Sequence, residues 1–206
     1  MWLGSFDETV AHFVTRWEGR DIPFLRKLFS LLVLGRPVSP QDLSQLTGVD
    51  IASVEQKLVE GRADRDLRGN IVGLFGVTHE PTYNRIHVGE TCLFSCCALV
   101  AHMIPLLLAR AVIIESVNPV NHKLVKVHVS SKGVWLVEPK GAVGSLVITT
   151  KEHLLKDVTE AFCRHICHFP DSQTAEEFIN SDARRYLVSV HELHGAARKL
   201  TDAIWS

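Results

Sequence analysis

Five cysteines fall into two groups in a chain of 206 residues. Cys92, Cys96 and Cys97 share the stretch TCLFSCCALVAHMIP, and Cys163 and Cys167 share AFCRHICHFP about 65 residues further on. Thiolates that converge from distant segments make a site for a soft, thiophilic ion. Buried singly, cysteines behave as small apolar residues. Residue types alone leave both readings open, evenly so for Cys92 and Cys96. Cys97 has the stronger case, because it opens the helix-like run CALVAHMIPLLL and a helix N-terminus favours a thiolate. Downstream, Cys163, His165, Cys167 and His168 interleave sulfur with imidazole, but no CxxC pairing of the zinc-finger kind accompanies them. The adjacent Cys96 and Cys97 are too tightly spaced for a chelating pair of that kind. Of the eleven histidines, only those of the 161–168 segment are candidates for a site. His102, five residues after Cys97, is poorly placed on the helix to assist it.

The elements that must position these groups fall into two parts. Residues 1–62 read as helical, with apolar residues three and four apart in AHFVTRW and FLRKLFSLLVL. Ser39-Pro40 begins one helix and Asp50 can cap another, which carries Ile51, Val54 and Leu58 on one side. Gly48 marks the break between them. This is the outline of a helix-turn-helix, and RGNIVGLFGVT could add a hairpin wing. Lys57 is the only cation in DIASVEQKLVEG, beside Asp50, Glu55 and Glu60, and such a helix repels a phosphate backbone. A helical module packed on the rest of the chain is therefore preferred to a DNA-binding one.

Residues 63–206 mix strands with helices. NIVGLFGV, NRIHV, RAVIIESV, KLVKVHVS, GVWLVE and SLVITT are β-branched runs bounded by Gly, Pro or Asn. Helices are expected from about Cys97 to Leu108, near 173–180 and from about 190 to 204. The whole is α+β. The run from Cys92 to Ala109 has His102 as its only conspicuously polar residue and is just long enough for a membrane span, but Pro105 interrupts it and no Lys/Arg cluster flanks it. A buried core helix is expected instead.

Composition narrows the function classes. Hydrophobic residues make up 46% and charged residues 22%, the balance of a folded globular chain, and the net charge of -1 argues against general attraction to nucleic acid or anionic lipid. The N-terminus, MWLGSFDETVAHF, lacks a basic region followed by an apolar core, so a reducing cytoplasmic setting with free thiols is expected.

From about residue 24 to 200 the sequence resembles the organomercurial (alkylmercury) lyases. The resemblance lies in GRPVS at 35–39, RGNIVG at 68–73, CALV at 97–100, VEPKGAVGSLV at 137–147, AFCRHICHF at 161–169 and VSVHE at 188–192. It implies a helix-turn-helix-like N-terminal module over 1–62 and a mixed-sheet catalytic or metal-binding domain over 63–206. It also implies that Cys97 and Cys163 take the mercury and carry the catalysis. The family's proton-transfer aspartate falls on Val100 here, and a further cysteine of many members falls near Asn118-Pro119, where this chain has none. Cys96, His165, Cys167 and His168 are the residues available to help. The expected partner is a small organometallic substrate or soft metal ion, held without any required cofactor. A lyase that protonolyses the carbon–metal bond ranks first. A non-cleaving binder of mercury- or copper-type ions ranks second, and a metal-sensing DNA-binding regulator third.

Overall fold

A computed structural model describes residues 4–205. Four helices come first: α1 (Phe6–Val14), α2 (Ile22–Leu32), α3 (Pro40–Thr47) and α4 (Ile51–Gly61). Each begins at a side chain that accepts from an otherwise unpaired N–H of the first turn, respectively Ser5, Asp21, Ser39 and Asp50. Ser5 and Glu8 satisfy one another's backbone N–H in a capping box. α2 buries Phe24, Leu25, Leu28, Phe29 and Leu32 along one face. α3 ends at Gly48 in the left-handed conformation (φ +70°). On α4, Val54 and Leu58 are buried, but Ile51, expected beside them, is 42% exposed.

The strands follow as β1 (Asp64–Arg65), β2 (Ile71–Leu74), β3 (Val77–Thr78), β4 (Asn84–Val88) and β5 (Thr91–Ser95). Helix α5 (Ala98–Leu108) intervenes before β6 (Val112–Val117), β7 (Leu124–Ser130), β8 (Gly133–Glu138) and β9 (Val143–Val147). Helices α6 (Lys151–Lys156) and α7 (Val158–Ala161) lead through a single 3₁₀ turn, Cys163–His165, into β10 (His168–Phe169). The chain closes with α8 (Ser172–Asn180), β11 (Arg185–Ser189) and α9 (Val190–Trp205). Eight strands form one antiparallel sheet in the order β1-β2-β3-β5-β4-β6-β7-β8, and three form a second, β10-β9-β11. The fold is α+β. The hairpin expected as a wing is continuous with the large sheet, since β3 pairs directly with β5.

Helix α5 is the centre of the molecule. Its first eight residues, Ala98 to Pro105, are all buried, and it lies between α9 and the strands β4 to β7. Pro105 does not end the helix, which runs three residues further. Apolar β4, β6 and β7 side chains (Ile86, Ile114, Val125, Val127) supply the sheet face, and Leu193, Ala197 and Leu200 supply the α9 face. The N-terminal helices dock on the same core: α1 lies against α9, and Phe29 of α2 packs its ring 6.0 Å from Trp205. No helix among the described residues is long and apolar enough to cross a membrane.

Candidate functional site

Three sulfurs meet where β5 hands over to α5. The sulfurs of Cys96, Cys97 and Cys163 all lie within 4.8 Å of one another, and Cys96 and Cys163 are 3.2 Å apart. The backbone fixes each of them. Cys97 is the N-cap of α5, in an extended conformation (φ -154°, ψ 166°), and its side chain makes no capping hydrogen bond. Ser95 Oγ donates to the Cys97 carbonyl at 3.0 Å, and the Cys96 N–H donates to Gly76 O at 2.8 Å. The Ala98 N–H donates to Ile166 O at 3.1 Å, tying the first cysteine segment to the second. Ser145 on β9 holds the second segment from the other side, donating to His165 O at 2.8 Å and accepting from the Cys167 N–H at 3.0 Å.

The three thiols are electrostatically unequal. Cys97 is held well below the ordinary thiol range by its interactions with the neighbouring Cys163 and Cys96 thiols, with smaller help from the N–H groups of Val100 and Leu99, against the cost of burial. Cys96, an exposed residue whose sulfur faces the other two, is pushed well above that range chiefly by its interactions with Cys163 and Cys97. At Cys163 the hydrogen bond from Cys96 pulls downward, but donation to Cys97, burial and the Cys97 charge prevail and hold it well up. These directions favour negative charge on Cys97, with Cys96 donating to Cys163 and the Cys163 proton turned towards Cys97. Negative charge sits where the helix terminus offers N–H groups to receive it.

Cys96 and Cys163 lie on the wall between two cavities. One, of about 300 Å³, is apolar and is lined by Phe13, Trp17, Phe75, Val100, Met103 and Phe162, with Arg16 among them. Its aromatic wall is bound together: Trp17 lies 3.9 Å from Phe75 and Phe13 lies 5.1 Å from Phe162, between ring centroids. The other cavity, of about 360 Å³, is more polar and includes Asn84, Ser116, Arg164, His168 and Arg185.

The remaining candidates are placed apart from the sulfurs' mutual contacts. Val100, 8% exposed, is on the apolar wall one turn into α5. His165 is committed elsewhere: its Nδ1 accepts from Arg185 Nε at 2.8 Å and its Nε2 contacts Glu160 O at 2.8 Å. These partners place its proton on Nε2, and burial lowers its pKa. Cys167 reaches only the Arg164 carbonyl, and burial pushes its thiol up to about 12. Cys92 is exposed on β5.

His168 belongs to a polar chain that sequence reasoning missed. Ser116 Oγ donates to Asn84 Oδ1 at 2.8 Å, so it accepts from His168 Nδ1, also at 2.8 Å. His168 Nε2 then accepts from His102 Nε2 at 3.1 Å, and His102 Nδ1 accepts from His194 Nδ1 at 3.4 Å. One proton arrangement satisfies every link and leaves His194 Nε2 as the unpartnered end. Burial pushes His168 and His194 down to about 4 and His102 well below its usual value, so all three are neutral. A histidine in the otherwise apolar CALVAHMIPLLL was the available signal, since a buried imidazole requires partners.

A cluster of thiols at a helix N-terminus, beside an apolar cavity in an α+β fold, has the donor set that could hold a thiophilic ion. Comparison with known proteins makes this specific. The sequence model of the MerB family, alkylmercury lyase, matches residues 77–202. The alkylmercury lyase of Staphylococcus epidermidis is 31% identical over 176 residues, 85% of this chain and 80% of that one. That of Streptomyces lividans is 27% identical over 87% of this chain and 82% of its own. A crystal structure of the mercury-bound form of MerB2 shares the fold, with a TM-score of 0.80 over 96% of this chain and 99% of that one, at 20% identity. The chain belongs to the alkylmercury lyase family.

Proposed function

We propose that this enzyme captures an organomercurial through Cys97 and Cys163 and releases its organic group by protonolysis. The observation that carries the reading is the unequal thiol cluster, one thiolate and two thiols within 4.8 Å, on the wall of an apolar cavity. The Cys97 thiolate displaces the counter-ligand of R–Hg–X and forms a neutral S–Hg–R adduct. The Cys163 thiol then exchanges: its S–H bond and the Hg–C bond break, while an S–Hg and a C–H bond form. The products are R–H and mercury held between two sulfurs. This sequence draws its proton from Cys163 itself and needs no group at Val100. Cys96, 3.2 Å from Cys163, is placed to replace or relay that proton. No cofactor enters the scheme.

The N-terminal part has a place in this reading. Phe13, Arg16 and Trp17 close the cavity beside the thiols, which supports residues 1–62 as a helical module serving residues 63–206. Lys57, the cation a DNA-reading helix would need, is paired with Asp21 at 2.7 Å. That supports the substrate-covering role over the regulatory one. The non-cleaving reading retains one observation in its favour, a valine where the family places its carboxylate.

The deciding experiment is single-turnover incubation of reduced protein with phenylmercury, followed by benzene detection in the headspace. Benzene in stoichiometric yield is expected. A protein–mercury adduct that retains its phenyl group would establish the non-cleaving reading instead.

A further inference from the structure

We infer that Cys96 completes a three-sulfur seat, with Cys97 and Cys163, for a trivalent pyramidal thiophile of the arsenite class. The proposal rests on the same cluster as the capture reading but not on the cleavage chemistry, and it assigns that cluster a second kind of ligand.

Spacing is the first argument. With metal–sulfur bonds of about 2.3 Å, two sulfurs across a linear divalent ion stand about 4.6 Å apart, and three around a flat one about 4.0 Å. Three sulfurs below a pyramidal ion with bond angles near a right angle stand closer, about 3.3–3.5 Å on the same bond length. Cys96 and Cys163 are 3.2 Å apart, and the third sulfur lies within 4.8 Å of both. The existing pair spacing fits the pyramidal case without being pulled open.

The Cys96 sulfur is also built into its place. A Cβ on Gly76 would lie 2.5 Å from Cys96 Sγ and 3.6 Å from Val100 Cγ2. Gly76 has φ +74° and also accepts the Cys96 N–H, so the hairpin turn brings bare backbone against this one sulfur. Cys92 and Cys167 have no such seat.

Charge is the third argument. In the net reaction the Cys97 thiolate and two thiols replace the three hydroxyls: two S–H and three As–OH bonds break, one proton is taken up from solvent, three As–S bonds form and three waters leave. No oxidant is needed, and the product is uncharged. An uncharged product suits the aromatic and aliphatic side of the cavity, Phe13, Trp17, Phe75, Val100, Met103 and Phe162. Arg16, Arg62 and Asp64 line its other side.

The test is X-ray absorption at the arsenic edge on reduced full-length protein loaded with one equivalent of arsenite, together with titrations of Cys96→Ser, Cys92→Ser and Cys167→Ser. Three sulfurs per arsenic are expected in the unaltered protein. Cys96→Ser should weaken binding about a hundredfold, since a hydroxyl is a poor ligand for a soft ion, while the other two variants bind as before. Two sulfurs in the unaltered protein, or unchanged affinity in Cys96→Ser, overturns the proposal, and the first readout needs no variant to fold. Benzene release from phenylmercury, assayed on the same preparations, reports separately on the lyase reading. Cleavage with two-sulfur arsenic fails the inference alone. Three-sulfur arsenic without cleavage fails the lyase reading alone.

Discussion

At the scale of single residues, the chemistry is set by which thiol loses its proton first. Three similar side chains become unequal because Cys163 and Cys96 favour charge on the Cys97 sulfur and the N–H groups of the helix start add a smaller pull. Absorbance of the thiolate near the far-ultraviolet should therefore report about one thiolate per chain at neutral pH. Cys97→Ser should abolish that absorbance, and its persistence in that variant would refute the assignment. Val100 tests the second half of the chemistry. If proton delivery limits turnover, Val100→Asp should speed benzene release about tenfold or more, equal to about 1.4 kcal/mol of barrier. Mercury capture should change little, because both proposed ligands remain. A rate unchanged by the substitution would leave the Cys163 and Cys96 protons as sufficient. The Cys97 helix-start argument was legible from sequence. The closeness of Cys96 was not, because adjacent residues in extended backbone ordinarily point to opposite sides, and only the Gly76 contact shows where this one is lodged.

At the scale of elements, the β2–β3 turn decides the shape of the site. Its two central residues, Phe75 (φ +56°) and Gly76 (φ +74°), both lie in the left-handed region, as a type I′ hairpin requires. Phenylalanine rarely accepts that backbone, so the cost must be offset, and its ring packs between Trp17 at 3.9 Å and Trp205 at 4.5 Å. Gly76→Ala should cost about 1–2 kcal/mol in urea unfolding, from backbone strain at positive φ. It should also displace Cys96, so arsenite affinity should fall further than that of a Phe75→Leu control. Equal effects of the two would mean that the turn acts only through stability. Much of this level was readable: α5, α8 and α9 fall where periodicity placed them, and five of the six β-branched runs contain whole strands. The strand β5 was hidden in an apolar run that continues into a helix, where periodicity gives no boundary. The pairing of β3 with β5 joins the expected wing to the main sheet, and sequence carries no sign of such long-range register.

At the scale of the whole molecule, the buried histidine chain joins parts that no single element connects. His102 lies on α5, His194 on α9, His168 on β10, Ser116 on β6 and Asn84 on β4, so one polar thread crosses two helices and both sheets. Asn84 Nδ2 reaches Ser95 O at 3.4 Å, and Ser95 Oγ holds the Cys97 carbonyl, so the thread ends at the backbone of the thiol site. Its stability must depend on pH. Unfolded histidines take up protons near pH 6.5. In the fold His168 and His194 resist until about 4, and His102 is likewise held well below its usual value, because burial penalises the charged ring. Between about pH 4 and 6.5 the unfolded chain therefore binds more protons than the folded one, and stability rises with pH across that window. The contribution is complete above about pH 6.5 and erodes as pH falls towards 4. Urea midpoints measured on reduced protein should fall between pH 7 and pH 5, a range that lies above most carboxylate titrations. His168→Gln should lower stability at pH 7 yet flatten that dependence, by up to about 1.4 kcal/mol per pH unit if one proton's linkage is lost. An unchanged slope in His168→Gln would show that this histidine takes up its proton near pH 6.5 in the folded chain as it does in the unfolded one. It would also undo, below that pH, the proton arrangement assigned to the thread, since a charged His168 could not accept from His102.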